Sequence, residues 1–275
     1  TAGVRLSDVR TRLPSTSVHN TEVSCDIGWV ATINDGWQFT ANLGYGFRAP
    51  NVFDLGTLGN RPGNRFNIPN TGLESEHVVH ADVGIRYRSS AAEFSLATYL
   101  LDYTDRIVSV ATGDVTPEGR EITRSVNAAR SEVYGLEATA RVDIGGQWFL
   151  DANLAYTRGE QRIAGSGAEP GDRVPPLSGF VRLEYAPESV LGFEAWMSMA
   201  GAQDRLSARD VRDSRIDPNG TPGWADLGVR ASWRPAAPWV VTLELSNLLD
   251  QRYRVHGSGI DATGRNATLT ARWRW

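Results

Sequence analysis

The 275 residues carry 28 basic side chains, all of them Arg, against 32 acidic ones, for a net charge of −4. No basic block stands out, which argues against nucleic acid as a partner, and the lone Cys25 excludes an internal disulfide, a thiolate zinc cluster or a CxxC pair. No apolar run nears the ~18 residues of a membrane-spanning helix, and the opening TAGVRLSDVR has neither initiator Met nor secretion signal, so the expectation is a piece of a longer protein.

Along the chain the dominant pattern has a period of two, the mark of half-buried strands. In WQFTANLGYGFR, Trp37, Phe39, Ala41, Leu43, Tyr45 and Phe47 alternate with Gln38, Thr40, Asn42, Gly44, Gly46 and Arg48. Val79, Ala81, Val83, Ile85 and Tyr87 repeat the pattern, and AEFSLATYLLDYTD breaks phase at Leu100–Leu101, where a bulge is expected. Further apolar faces run from Trp148 to Tyr156, from Ala225 to Trp233 and from Trp239 to Leu245. Trp37, Tyr87, Trp148, Tyr156, Tyr185, Trp224, Trp233 and Trp239 stand near strand ends, where amphipathic rings suit lipid headgroups.

The connections alternate in length. Short ones fall at Asn34, Ser89, Gly145, Ala186 and Pro235; long polar ones cover roughly Pro14–Glu22, Ala49–Ser75, Ala111–Gly119, Gln161–Pro176, Asp204–Pro222 and Asp250–Gly264. Keeping every long loop at one end is the habit of an outer-membrane barrel, with tight periplasmic turns and long outer loops. The expected fold is therefore all-β: an antiparallel up-and-down transmembrane β-barrel wall of about twelve strands across residues 1–275. In NATLTARWRW, Ala267, Leu269, Ala271, Trp273 and Trp275 form one face, ending on an aromatic residue. That ending resembles the signal read by the bacterial β-barrel assembly machinery, with Leu269, Trp273 and Trp275 as its carriers.

Longer segments carry a family resemblance. GYGFRAPNVFDL (Gly44–Leu55), NIPNTGLESEH (Asn67–His77, with Glu74 or Glu76 in its acidic place), NAARSEVYGLEATARV (Asn127–Val142) and the Asn247, Leu248, Leu249, Asp250, Tyr253 pattern occur in order. Together they resemble the TonB-dependent outer-membrane receptors, plugged barrels of about twenty-two strands. The resemblance implies a bacterial outer-membrane location, lipid and lipopolysaccharide as surroundings, and a role in uptake of a scarce nutrient such as an iron–siderophore complex or cobalamin. It also implies coupling to the TonB complex, provided a plug domain is supplied. About twelve strands make up a little over half such a barrel, and no plug or energy-coupling box precedes them. The chain is thus expected to be the C-terminal part of a receptor, or else a small barrel closing by itself as a passive pore.

Glu137, Glu244, Asp151, Asp226, Arg182 and Arg230 have the parity of a lumen wall, as do Gly135 and Gly228, where a close neighbour would need room. Two outer loops offer ligand candidates: Asn60, Arg61, Asn64 and Arg65 in GNRPGNRFN, and Arg205 and Arg209 in DRLSARDVRDSRIDPNG. Arginine there can grip anionic ligands or lipopolysaccharide phosphates, whereas alternation with Asp204, Asp210, Asp213 and Asp217 also suits solvated ion pairs. No metal site or cofactor is expected, since the spacing of a calcium-binding loop is missing. Phe47-Arg48-Ala49-Pro50 matches one box of the haem receptors of this family, but no His lies between it and IPNTGL, which disfavours haem. None of the four histidines accompanies a GxSxG-like nucleophile, so no enzyme is expected.

Overall fold

Strict alternation commits each strand to two unlike faces, and pairing decides whether those faces match from strand to strand. The computed structural model describes residues 1–273 apart from 15, 62, 63, 166, 188, 189 and 237. In chain order the elements are β1 (Ala2–Arg12), β2 (Ser17–Asn34), β3 (Trp37–Arg48), α1 (Val52–Gly56), β4 (Gly59–Arg61), β5 (Arg65–Ile68), β6 (Glu76–Arg88) and β7 (Ala92–Val115). There follow β8 (Glu121–Gly145), β9 (Trp148–Ile163), β10 (Ala168–Pro170), β11 (Ser178–Tyr185), β12 (Leu191–Ala200), α2 (Ala208–Val211), β13 (Trp224–Trp233), β14 (Trp239–Ser246) and β15 (Asn266–Trp273). All strands except β4, β5 and β10 form a twelve-stranded meander in chain order. Among the described residues β1 pairs only with β2 and β15 only with β14, so the sheet does not close on itself.

The register keeps the apolar faces together across the whole sheet. Leu6 lies opposite Val23, Ile27 opposite Leu43, and Ile85 opposite Leu96. Ala138 meets Leu154, Leu183 meets Ala195, Met197 meets Leu227, and Leu243 meets Leu269. These side chains do not make a core. Leu6 is 71% exposed and Leu269 72%, while the buried aliphatic residues among those described are Leu55, Leu73, Ala129 and Ile216. An apolar exterior spread over twelve strands fits hydrocarbon, not water, on that side.

At the end with short turns, aromatic rings pair along the belt: Trp37 with Tyr87 at 4.9 Å, Trp148 with Tyr185 at 4.9 Å and Trp239 with Trp273 at 6.4 Å between centroids. Trp224 is not part of this girdle. It opposes Ala200 on the other face of the sheet and stacks on Tyr253 at 4.3 Å.

Three expectations about the connections need correction. Much of Pro14–Glu22 and of Ala111–Gly119 is strand, because β2 begins at Ser17 and β7 runs to Val115. The phase break falls later than Leu100–Leu101, which pair regularly; the register shifts between Tyr103 and Arg106, where Asp105 has φ 55°. The outer segments also contain two helical turns that alternation could not announce. Their caps explain them: Asn51 and Ser207 each accept from the third residue onward, and Asp54 and Asp210 return the bond.

β7 and β8 are 24 and 25 residues long, against about ten for crossing a bilayer. Above the apolar belt their outward face turns polar, with Asp102 and Arg130 paired at 2.6 Å. These strands therefore carry the barrel wall beyond the membrane and hold the outer loops on a rigid hairpin.

Candidate ligand site among the outer loops

Pro50 cannot donate to a ladder, so β3 stops at Arg48 and the chain folds over the barrel mouth. Arg48 fixes the crossing. Its Nε donates to Glu76 Oε2 at 2.6 Å and its Nη1 to Asp54 Oδ2 at 2.6 Å. Glu76, 9% exposed, also takes the backbone N–H of Ile107 at 2.6 Å, just past the register shift in β7. Glu76, then, holds the acidic place of its motif; Glu74 contributes only its backbone, to both ends of the Asn127 amide.

The β4–β5 hairpin lies against β8 through parallel pairing of β5, Arg65 opposite Glu121. Asn67, almost fully buried, donates to the Thr57 carbonyl at 2.9 Å and accepts from Thr123 at 3.3 Å. Across the mouth, Gln161 is 2% exposed and bonds Glu169 and Asp172 at 3.0 Å each, while its oxygen accepts from Arg106 at 3.2 Å. Asp172 pairs with Arg209 at 3.1 Å. Burial pushes the Asp172 carboxyl up, but hydrogen bonds from Ser207, Arg209 and Gln161 and the Arg209 charge outweigh it, leaving its pKa below the ordinary value. The buried Asp210 takes the Arg173 N–H at 3.0 Å and anchors α2 to the loop after β10.

Between these two supports lies an open cavity of about 940 Å³. Its polar lining includes Arg61 and Arg65 from the hairpin, Arg106 from β7, and Arg209 and Arg212 from the α2 loop; Phe53, Ile107, Val110 and Ile163 supply apolar surface. Three of the loop candidates read from sequence, Arg61, Arg65 and Arg209, therefore converge on one space. The other three do not line it. Asn60 sits exposed on β4. Asn64, at φ 54°, donates to the Gly119 carbonyl at 3.1 Å and ties the hairpin to the β7–β8 turn. Arg205 pairs with Glu160 at 3.1 Å. Sequence reasoning passed over Arg106 and Gln161, which belong to strands; the phase break in β7 was the one available signal.

The inner wall carries the expected mixed charge, organised as a cross-strand row. Arg141, Asp151, Arg182, Glu194, Arg230 and Glu244 follow one another from β8 to β14, with contacts of 3.1, 2.9, 3.8, 3.1 and 2.7 Å. Asp226 instead accepts from the Asn247 N–H at 2.9 Å and the Tyr253 hydroxyl at 3.0 Å, which pins the last outer loop. Glu137 opposes Ala97 and Ala155 on the same wall. Space at the glycines is taken by cross-strand aromatics: a Cβ on Gly228 would run into the Trp196 ring, and one on Gly135 would stand 2.5 Å from the Tyr99 hydroxyl.

His77 bonds Glu22 at 3.2 Å, His80 bonds Asn42 at 3.0 Å and His256 bonds Thr221 at 2.9 Å. Burial lowers the pKa of His256. Of the residues read as an assembly signal, Leu269 and Trp273 lie on the apolar face of β15, and Trp275 lies outside the described residues.

An open antiparallel wall, apolar outside, charged inside and roofed by loops at one end only, is the architecture of a large outer-membrane barrel. Residues 1–248 match the model of the family described as TonB dependent receptor-like, beta-barrel, and the chain belongs to it. That family consists of outer-membrane receptor and transporter barrels. Among solved structures, the FrpB iron transporter from Neisseria meningitidis (F5-1 variant) superposes with a TM-score of 0.78 at 16% identity, over 98% of this chain and 42% of its own. The copper transporter OprC gives 0.76 at 19%, over 93% and 40%. The siderophore receptor PirA from Pseudomonas aeruginosa gives 0.68 at 19%, over 98% and 44%. The chain thus spans about two-fifths of the length of these structures. No curated protein sequence matches it.

Proposed function

We propose that this chain forms barrel wall and outer ligand cavity of a receptor that imports a scarce nutrient of the iron–siderophore or cobalamin class across the bacterial outer membrane. The observation that carries the reading is the convergence of Arg61, Arg65 and Arg209, from separate outer loops, on one cavity at the barrel mouth. A pocket built from loops on a rigid wall is the usual way to place binding groups where a ligand arrives. The chain acts as a binding and transport component and not as an enzyme. Coupling to the TonB complex requires a plug domain in addition to the wall. Lipid and lipopolysaccharide cover its apolar belt, and the β-barrel assembly machinery reads β15, with Leu269 and Trp273 on the lipid face and Trp275 at the end.

The test is uptake by a host strain lacking the gene, supplied with radio-iron complexes or labelled cobalamin under nutrient limitation. Loss of uptake of one of these, restored by the gene and abolished by collapsing the proton gradient, is the expected result. Unchanged uptake of every such nutrient refutes the reading.

A further inference from the structure

The two faces of the wall treat charge in opposite ways. On the lumen side unlike charges stand directly opposite one another: Arg141 and Arg182 flank Asp151, and Glu194 and Glu244 flank Arg230. On the lipid side of β8 and β9 like stands opposite like. The register there climbs from Ala138–Leu154 through Leu136–Tyr156 and Tyr134–Arg158 to Glu132–Glu160 and then Arg130–Arg162. No shift interrupts these pairs, so all share the face of Leu154, which is 44% exposed. Like charges directly opposite on a sheet are destabilising, and an ion of the other sign between them removes the penalty.

The acidic row is largely answered by the protein itself. Glu160 receives Arg158 at 3.2 Å and Arg205 at 3.1 Å. Asp102, opposite Glu132 on β7, takes Nε and Nη2 of Arg130 at 3.1 and 2.6 Å; Glu132 has no ion pair among the described residues. The basic row is not answered. Arg162 is exposed, with no carboxylate oxygen within 4.0 Å among the described residues. Arg130, equally exposed, keeps Nη1 free of Asp102, and the buried Nε of Arg158 has no acceptor. Arg158 and Arg162 are ~13 Å apart along the strand, so the donors rise as a ladder from the edge of the apolar belt. The order recurs at β1 and β2, where Leu6–Val23 is followed by Asp8–Thr21 and then by Arg10–His19.

We infer that Arg130, Arg158 and Arg162 form a site for the phosphorylated headgroup of one lipopolysaccharide molecule, with a phosphate between Arg130 and Arg162 and acyl chains running down over Tyr134, Tyr156 and Leu154. A guanidinium presents a planar fork of donors that fits two phosphate oxygens at once. Position selects a lipid over free phosphate: the arginines stand directly above side chains that face hydrocarbon, and a molecule with anionic head and apolar tail meets both surfaces. The inference rests on the outer-membrane setting of the reading above and is independent of the nutrient imported.

The test uses the complete gene product, purified in detergent and shown to be folded by its gel mobility without heating. It is titrated with lipopolysaccharide freed of divalent cations, with the same lipopolysaccharide dephosphorylated by hydrofluoric acid, and with inorganic phosphate. The phosphorylated lipid is expected to bind, and the dephosphorylated one at least tenfold more weakly. Arg162→Gln should weaken the phosphorylated lipid about fivefold and the Arg130→Gln/Arg162→Gln double variant about twentyfold, the loss of one and of two exposed charge-assisted contacts. Glu132→Gln, which removes a neighbouring like charge from the phosphate, should tighten it, an effect that a merely structural role for the arginines would not produce. Arg88→Gln, at the short-turn end of the wall, should leave binding unchanged. Equal affinity for the two lipids, or full affinity in the double variant, overturns the inference. Inorganic phosphate bound as tightly as the lipid overturns it too, by making the site one for a free anion. None of these results touches the receptor reading, which nutrient uptake decides.

Discussion

Glu76→Gln is the most informative single change to the scaffold. The carboxylate is 9% exposed and receives Arg48 at one oxygen and the Ile107 N–H at the other, both at 2.6 Å. An amide has one oxygen to offer. If it serves Ile107, its NH2 faces the Arg48 guanidinium; if it serves Arg48, a buried N–H loses its acceptor. Either choice forfeits a charge-assisted bond, ~1.5–3 kcal/mol, or leaves a buried donor unsatisfied, ~1–3 kcal/mol. Arg48 is 43% exposed and keeps Asp54, so water and the second carboxylate recover part of the loss. A net destabilisation of about 2 kcal/mol remains. Because Ile107 follows Arg106, the same change loosens the cavity wall, and ligand affinity should fall together with stability. Urea unfolding of the complete protein in lipid vesicles, followed by tryptophan fluorescence, reads the first effect, and equilibrium binding reads the second. Glu74→Gln is the control, for its side chain is exposed and only its backbone is engaged. Equal midpoints for the two variants would refute this account of the motif.

Gly228→Val should be destabilised by about 1–3 kcal/mol, since its Cβ meets the Trp196 ring, and Trp196→Ala should restore much of the loss; Gly46→Ala, with Val78 Cγ1 at 3.4 Å, should be near neutral. Gel mobility of heated and unheated samples separates folded from unfolded barrel in both. Tyr253, pushed up to about 12 by burial and the Asp226 hydrogen bond and charge, stays neutral where an unfolded tyrosine ionises. The unfolded chain then holds fewer protons, so the stability from this group is complete below pH ~10 and lost between ~10 and ~12, a dependence that Tyr253→Phe removes. His256 titrates in the opposite sense: burial holds its pKa below the ordinary value, so its contribution is present above pH ~6.5 and lost as the pH falls through the lowered folded value. The protection of amides in the β12–β13 and β14–β15 loops, relative to the intrinsic exchange rate at each pH, should therefore fall in mild acid, and His256→Phe should abolish the change.

The wall was legible because a period of two has one physical meaning. Trp37 to Phe47 alternates without error and Trp239 to Leu245 with Val240 as its exception, and once β-pairing is assumed the belt follows. The cavity was legible only in part. Arg61, Arg65 and Arg209 stand out as arginines in polar loops, but Asn60, Asn64 and Arg205 have the same appearance and face elsewhere. What separates them is the parallel docking of β5 on β8 and the capped turn at Ser207, contacts between segments more than fifty residues apart in one case and set by a single side chain in the other. Arg106 was hidden for a different reason: in a strand its orientation depends on the register shift at Asp105, and alternation carries no marker for an inserted residue.

The motif residues answer a question the cavity leaves open, namely how polar loops hold a fixed shape without a hydrophobic core beneath them. Among the described residues of the segment between β3 and β6, Pro50, Leu55 and Leu73 are the buried apolar side chains, too few to order it by burial. Order comes from side chains that satisfy backbone groups instead: Asn127 bonds both backbone groups of Glu74 and the Asp105 carbonyl, Asn67 bonds the Thr57 carbonyl, and Asn247 bonds Gln251 and the Thr263 carbonyl. Each amide stands at or beside a strand that continues into the wall. The barrel therefore extends its order upward through hydrogen bonds, which set the spacing of arginines on different loops. Binding then costs less ordering entropy than it would on free loops. Asn127→Ala, which strips two bonds from the crossing segment and one from β7, should lower ligand affinity although Asn127 does not line the cavity; affinity equal to that of the unaltered protein would show that the loops are ordered by something other than these amides.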